Sequence, residues 1–215
     1  MIPPGRGELL GDGPDRRVEL LSDHPSLHAT WSRFGPGREG ADLHVHRRHT
    51  DLFYVLDGEF TLRRGLEDEP VTATAGQLVR VPPMVVHGFR NASDADVVYL
   101  NLHAPGRDFV DYMRARRDGR EFSYDQFDPP AEGVRPAGEV AIGEPVANVD
   151  EIEIEVVRVE PSEQRARPEE LVSLYVLEGA AAGTWVQIPS GTAHPRLDRG
   201  RHLEVRTPNS VADER

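Results

Sequence analysis

From Val18 to His103 the chain is cut into about eight or nine short β-forming stretches, and no segment between them is long enough to be a crossover helix. The stretches are Val18 to Leu21, Leu27 to Phe34, Asp42 to His46, Asp51 to Leu56, Glu59 to Arg64, Val71 to Thr74, Gln77 to Val81, Val85 to Arg90 and Asp96 to His103. Gly35-Pro36-Gly37, Asp57-Gly58, Ala75-Gly76 and Pro82-Pro83 punctuate them. Parallel strands need a long crossover, whereas antiparallel strands accept short turns. The spacing therefore predicts an all-β, antiparallel closed barrel or jelly roll. Asp51 to Leu56 is almost continuously apolar, as a strand buried on both faces must be, and Asp57-Gly58 reads as a hairpin turn into Glu59 to Arg64.

The periodicity then changes. In Gly106 to Arg117, Phe109, Tyr112 and Met113 recur at helical spacing, with Asp108 near the start and three arginines near the end, followed by Gly119. Residues 119–140 read as a linker rich in Pro, Gly and aromatics that packs down on the fold. Residues 1–17 read as a loosely held arm. A second β region begins near Val140 and contains an internal echo. Tyr175-Val176-Leu177-Glu178-Gly179 repeats Tyr54-Val55-Leu56-Asp57-Gly58, and Pro189 to His194 repeats Pro82 to His87. A repeated supersecondary unit implies a duplicated domain. The division expected is 1–118 for a barrel with a trailing helix, 119–140 for a linker, and 141–215 for a shortened second unit.

Composition removes several function classes. The formal charge is −12, which disfavours phosphate backbones, so no nucleic-acid partner is expected. There is no cysteine, and all 25 basic residues are arginine, which excludes disulfides, thiolate chemistry, a Schiff-base lysine and a Walker-type phosphate loop. No apolar run approaches the ~20 residues that span a bilayer, and the first residues contain no apolar leader. No membrane partner is expected, and the cytoplasm is the default location.

Chemistry concentrates at four side chains. His44 and His46 are two residues apart and share a face of any strand. Asp51 opens the next strand, and His87 comes from another. Three imidazoles and a carboxylate suit one divalent metal ion, with Fe, Mn, Ni, Co and Zn all open. Taken alone, His44 and His46 would be exposed strand histidines; the set of four is what points to a metal. Because Asp51 has a short side chain, His49 is a candidate substitute ligand. Trp31, Phe53, Phe89 and Tyr99 are candidates for an apolar pocket wall, against a reading as ordinary core. His28 and His103 have no partner at ligand spacing.

With these residues in hand, the chain resembles the cupin superfamily. The first motif of that family is matched by His44-x-His46, Asp51 and Gly58, with Asp51 in place of the usual Glu and Gly40 nearer His44 than the motif has its leading glycine. The second is matched by Gly76, Pro82, His87 and Asn91, with Met84 in place of a glycine. The resemblance implies a double-stranded β-helix, and the echo implies a duplicated, bicupin-like form. Aligning the two glycine turns places Arg165, Arg167 and Val172 where His44, His46 and Asp51 stand, so the second copy keeps only His194 and no metal site. Dioxygenases are frequent in the superfamily, which favours a metal-dependent, dioxygenase-type oxidoreductase acting on a small molecule. A metal-assisted isomerase or lyase and a non-enzymatic ligand-binding or sensor protein are the alternatives. Homodimers also occur among such barrels.

Overall fold

The structure is a computed structural model that describes residues 1–144, 169–192 and 200–208, together with the backbone of the strands at 146–149 and 152–159. It is rich in β-structure, with one α-helix among the described residues. The strands are β1 (Glu8–Gly13), β2 (Arg16–His24), β3 (Leu27–Phe34), β4 (Thr50–Asp57), β5 (Glu59–Arg64), β6 (Glu69–Thr74), β7 (Leu78–Val81), β8 (His87–Arg90) and β9 (Val97–Ala104). Helix α1 (Phe109–Arg117) follows, then β10 (Ala141–Gly143), β11 (Val146–Val149), β12 (Ile152–Val159), β13 (Glu170–Val176), β14 (Trp185–Ile188) and β15 (Gly200–Pro208).

A seven-stranded sheet has the order β1-β2-β3-β9-β4-β7-β10, and it faces a three-stranded sheet of order β6-β5-β8. The small sheet is extended by isolated antiparallel bridges between His44 and His87 and between Val45 and Phe127. The Asp42 to His46 stretch is thus held by single bridges rather than as a full strand. A five-stranded sheet, β11-β12-β15-β13-β14, forms from the rest of the chain.

Strand parity explains how the sheets stack. On β4 and β9 the cross-strand pairs Asp51–His103, Phe53–Asn101 and Val55–Tyr99 alternate with Leu52–Leu102 and Tyr54–Leu100. Phe53, Val55 and Tyr99 join Phe34, Phe60 and Leu62 in the core between the two N-terminal sheets. Leu52, Tyr54, Leu100 and Leu102 face the other way, onto Leu171, Tyr175, Trp185, Leu203 and Val205 of the five-stranded sheet. The apolar run at β4 is therefore buried on both faces, and each buried leucine contributes about 1.5–3 kcal/mol. The echoed tyrosines, Tyr54 and Tyr175, both lie in this second core.

Two expectations are corrected. Asp57-Gly58 is not a hairpin, because β4 pairs with β7 and β9 while β5 pairs with β6 and β8. It is a corner where the chain passes between sheets. Gly58 adopts φ 78°, and a Cβ there would meet the Asp96 carbonyl oxygen at 2.4 Å. The N-terminal arm is not loose throughout, since residues 8–13 form an edge strand on β2 and Ile2 pairs with Trp185 through backbone hydrogen bonds of 2.8 and 2.9 Å. Residues 119–140 pack onto the rest of the fold. Phe127 pairs with Val45, the Arg135 N–H donates to the Met84 carbonyl at 2.8 Å, and the following β10 extends the seven-stranded sheet beside β7. Helix α1 lies where the periodicity predicts it, with Phe109, Val110, Met113 and Ala115 buried and Arg114, Arg116 and Arg117 in its last turn.

Candidate metal centre

Reciprocal backbone hydrogen bonds of 2.8 and 2.9 Å between His44 and His87 bring the first histidine pair beside β8. The Met84 N–H, donating to the His46 carbonyl at 2.7 Å, fixes the other edge. Met84 adopts φ 64°, the left-handed conformation for which the related motif carries glycine. The arrangement gathers His44, His46 and His87, all buried, with one nitrogen from each lying within 4.8 Å of the others.

The outer nitrogens determine what the inner ones can do. His44 Nδ1 lies 2.7 Å from the Asp42 carbonyl oxygen, His46 Nδ1 2.5 Å from that of Asp125, and His87 Nδ1 2.9 Å from that of Val85. A carbonyl only accepts, so each Nδ1 carries the proton and donates. In the neutral ring each Nε2 is then a bare lone pair. Burial, and next the neighbouring His87 and His46, push the His44 pKa down to about 2, and burial lowers that of His46. The His44 and His46 rings are thus neutral at ordinary pH, yet His44 Nε2 and His46 Nε2 stand 3.1 Å apart. The Asp51 carboxylate places Oδ2 3.6 Å from His46 Nε2 and 3.5 Å from His87 Nε2. Burial raises the Asp51 pKa, but His103, His46 and His87 outweigh it and hold the carboxyl well below its usual value. Three nitrogen lone pairs converge with no proton between them, the Asp51 carboxylate lies beside them but outside the three-histidine group, and His87 Nε2 is buried without a hydrogen-bond partner. Donors bound at roughly 2.0–2.1 Å to one metal lie about 2.9–3.4 Å apart, so the residues fit a cation at their centre.

Residues outside the sequence pattern complete the surroundings. The Asp125 carboxylate accepts from the backbone N–H of Arg47 and Arg48 and from His49 Nδ1, the last at 3.0 Å. His49 is outside the three-histidine group; its ring packs on that of His46 with centroids 4.0 Å apart. Asn101 Nδ2 donates to Asp51 Oδ1 at 2.5 Å, and its own Oδ1 accepts from His103 Nε2 at 2.9 Å. That leaves His103 Nδ1 without a partner; its ring stacks on Phe109 with centroids 3.9 Å apart. Asn101 and His103 share the inward parity of β9 with Tyr99, so strand alternation alone could have found them. Asp125 sits in what reads as a linker, and nothing in its spacing marks it.

A cavity of about 320 Å³ opens onto His44, His46 and Asp51. Phe89 and Tyr99 line it, together with Phe34, Phe109 and Tyr124. Phe53 is fully buried against Phe60, with ring centroids 4.7 Å apart, and is core rather than wall. Trp31 is corrected as a wall residue. On β3 the inward face carries Thr30, Ser32 and Phe34, which places Trp31, odd in parity, against the five-stranded sheet. Val172, on β13, is a buried core residue, while Arg165, Arg167 and His194 lie outside the described residues.

Residues 30–103 match the family model described as a cupin domain. No curated protein sequence matches the chain. A structure of the bacterial pirin YhhW from Escherichia coli in complex with nickel(II) is similar, with TM-score 0.64 and 12% identity over 96% of this chain and 97% of that one. A B. subtilis oxalate decarboxylase variant gives TM-score 0.58 and 13% identity over 98% and 78%. Protein Ylba from E. coli gives TM-score 0.58 and 13% identity over 94% and 88%. At these identities the likeness establishes the fold alone. No helix among the described residues is long and apolar enough to cross a membrane.

Proposed function

With a cupin domain over residues 30–103 as premise, we propose that the protein is a metal-dependent enzyme acting on a small molecule. One divalent ion is held by Nε2 of His44, His46 and His87, with Asp51 Oδ2 as the fourth donor. The observation that carries this is the set of carbonyl-tethered Nδ1 atoms, which leaves three bare Nε2 lone pairs facing an ionised carboxylate. Nickel(II) in the similar YhhW structure supports the choice of a transition metal. The second, shortened unit is a copy of the first. In support, β13 lies between β15 and β14 as β4 lies between β9 and β7.

A redox metal held by these residues would supply O₂ and substrate activation, which favours a dioxygenase-type reaction. The chain itself excludes water with Phe89, Tyr99, Phe109 and Tyr124 and fixes the ligand set through Asp125 and Asn101. One observation favours a second reading, metal-assisted proton transfer of the isomerase or lyase kind. His103 lines the cavity with a ring that burial keeps neutral and with an Nδ1 that has no hydrogen-bond partner.

Elemental analysis of the purified chain tests the metal site. About one metal per chain is the outcome expected, with loss of the metal but not of the fold in His87→Ala. Metal-free protein after growth in medium supplemented with each of the five metals would refute it. Oxygen uptake with phenolic and keto acids, set against solvent-proton exchange in the same acids, then separates the two reactions.

A further inference from the structure

The far end of the cavity carries a cation with nothing to neutralise it. Arg16, on β2, lines the same cavity as His44, His46 and Asp51. Among the described residues its guanidinium makes no ion pair and no hydrogen bond, and its Nε is buried without a partner. Its position is fixed from two sides. The guanidinium carbon lies 5.9 Å from the centre of the Phe34 ring, and a Cβ on Gly11 would come within 3.5 Å of it.

The surroundings favour an incoming anion. Burial lowers the Arg16 pKa, Tyr99 and Tyr112 act against that shift and the charges of Arg116 and Arg38 act with it, so Arg16 faces phenol hydroxyls and like charge rather than a carboxylate. Both arginines also line the cavity. Arg38 is held by Asp15 at 3.0 Å, and Arg116 donates to the Tyr112 hydroxyl at 3.0 Å. The acidic side chains of the lining do not reach Arg16. Glu39 faces Arg63 and Arg90 at 3.8 and 3.6 Å, Asp51 belongs to the histidine cluster, and Asp42 and Asp128 are exposed. A half-buried, pre-positioned guanidinium fork offers paired parallel donors, the geometry that matches a carboxylate.

We propose that Arg16 anchors a carboxylate of the substrate, so that the cavity selects a small organic acid whose apolar body packs on Phe34, Phe89 and Tyr99 while its other end reaches the histidine cluster. The assignment rests on the metal-centre reading for what happens at that other end, but the anion site itself needs only Arg16 and the cavity. Arg16 is a binding residue here, and a neutral analogue of the same shape is the ligand it discriminates against.

Isothermal titration of the metal-loaded full chain with phenylacetate and with phenylacetamide tests this, since the two probes share a shape and differ in charge. Wild-type protein is expected to bind the acid at least about tenfold more tightly than the amide. Arg16→Gln is expected to erase that preference while leaving the metal content and the amide affinity unchanged. Arg16→Lys keeps the charge without the fork and is expected to retain part of the preference. A wild-type chain without preference for the acid, or an Arg16→Gln chain that keeps it, overturns the proposal. The metal reading fails separately. If the chain never holds a metal yet shows an Arg16-dependent acid preference, the anion site stands and the metal centre falls.

Discussion

His44 Nε2 and His46 Nε2 face each other at 3.1 Å although both rings spend their only proton on a backbone carbonyl at the opposite nitrogen. Two lone pairs at that distance repel. The contact persists because the carbonyls of Asp42 and Asp125 hold the rings from outside, and a cation between them turns the repulsion into coordination.

Acid is expected to destabilise the metal-free protein. The folded chain keeps His44 neutral down to about pH 2, and burial also lowers His46 and His103. In the unfolded chain a histidine protonates near its ordinary value of about 6.5. Below that value the unfolded state binds more protons than the folded state, so stability falls as pH falls. The slope is about 1.4 kcal/mol per pH unit for each such ring. Denaturant midpoints of the chelated protein between about pH 7 and about pH 5 measure it. A flat profile across that window would contradict the buried, neutral rings.

Asp125→Ala removes the acceptor shared by His49 and by the backbone N–H groups of Arg47 and Arg48. Those donors then lie without a partner beside His46. A fall in metal affinity of about 10–100-fold is expected. The accompanying loss of stability should be about 1.5–3 kcal/mol. Competition with a chromophoric chelator reads the first quantity and urea unfolding the second. Unchanged metal affinity would show that the Asp125 carboxylate does not orient the centre.

Asp51→Asn keeps the shape of the side chain and removes its charge. If Oδ2 is the fourth donor, affinity for a divalent metal should drop by at least about tenfold, or ~1.4 kcal/mol, with the three histidines still in place. The same chelator competition decides it. Equal affinity in the two proteins would place Asp51 outside the ligand set, as a partner of Asn101 alone.

Gly58→Ala is expected to destabilise the fold strongly. The residue would have to hold φ 78° with a Cβ 2.4 Å from the Asp96 carbonyl oxygen. The left-handed conformation alone costs roughly 1–2 kcal/mol, and the backbone clash adds to it. Thermal unfolding measures the change, and a melting temperature within a degree or so of wild type would mean the sheet-to-sheet corner relaxes freely.

The sequence by itself determined the local order of this chain. Short strands with punctuating glycines and prolines left antiparallel β-structure as the only economical pairing, and the run at Asp51 to Leu56 announced a strand covered on both faces. His-x-His spacing put two histidines on one face, and helical periodicity placed Phe109 and Met113 inward. Each of these is a near-neighbour property, carried by spacing along the backbone. What only the tertiary structure decided depends on contacts between distant positions. Asp57-Gly58 became a corner because its flanking strands found partners in different sheets. Asp125, 79 residues from His46, supplies the carbonyl that sets its tautomer. Trp31 turned away from the cavity because one step of strand parity places it on the opposite face of β3. Arg16 acquired its unneutralised setting because three segments placed Phe34, Arg38 and Arg116 around it. Spacing in sequence records which side of its own element a residue faces, whereas charge compensation, tautomer and cavity shape depend on what arrives across the barrel.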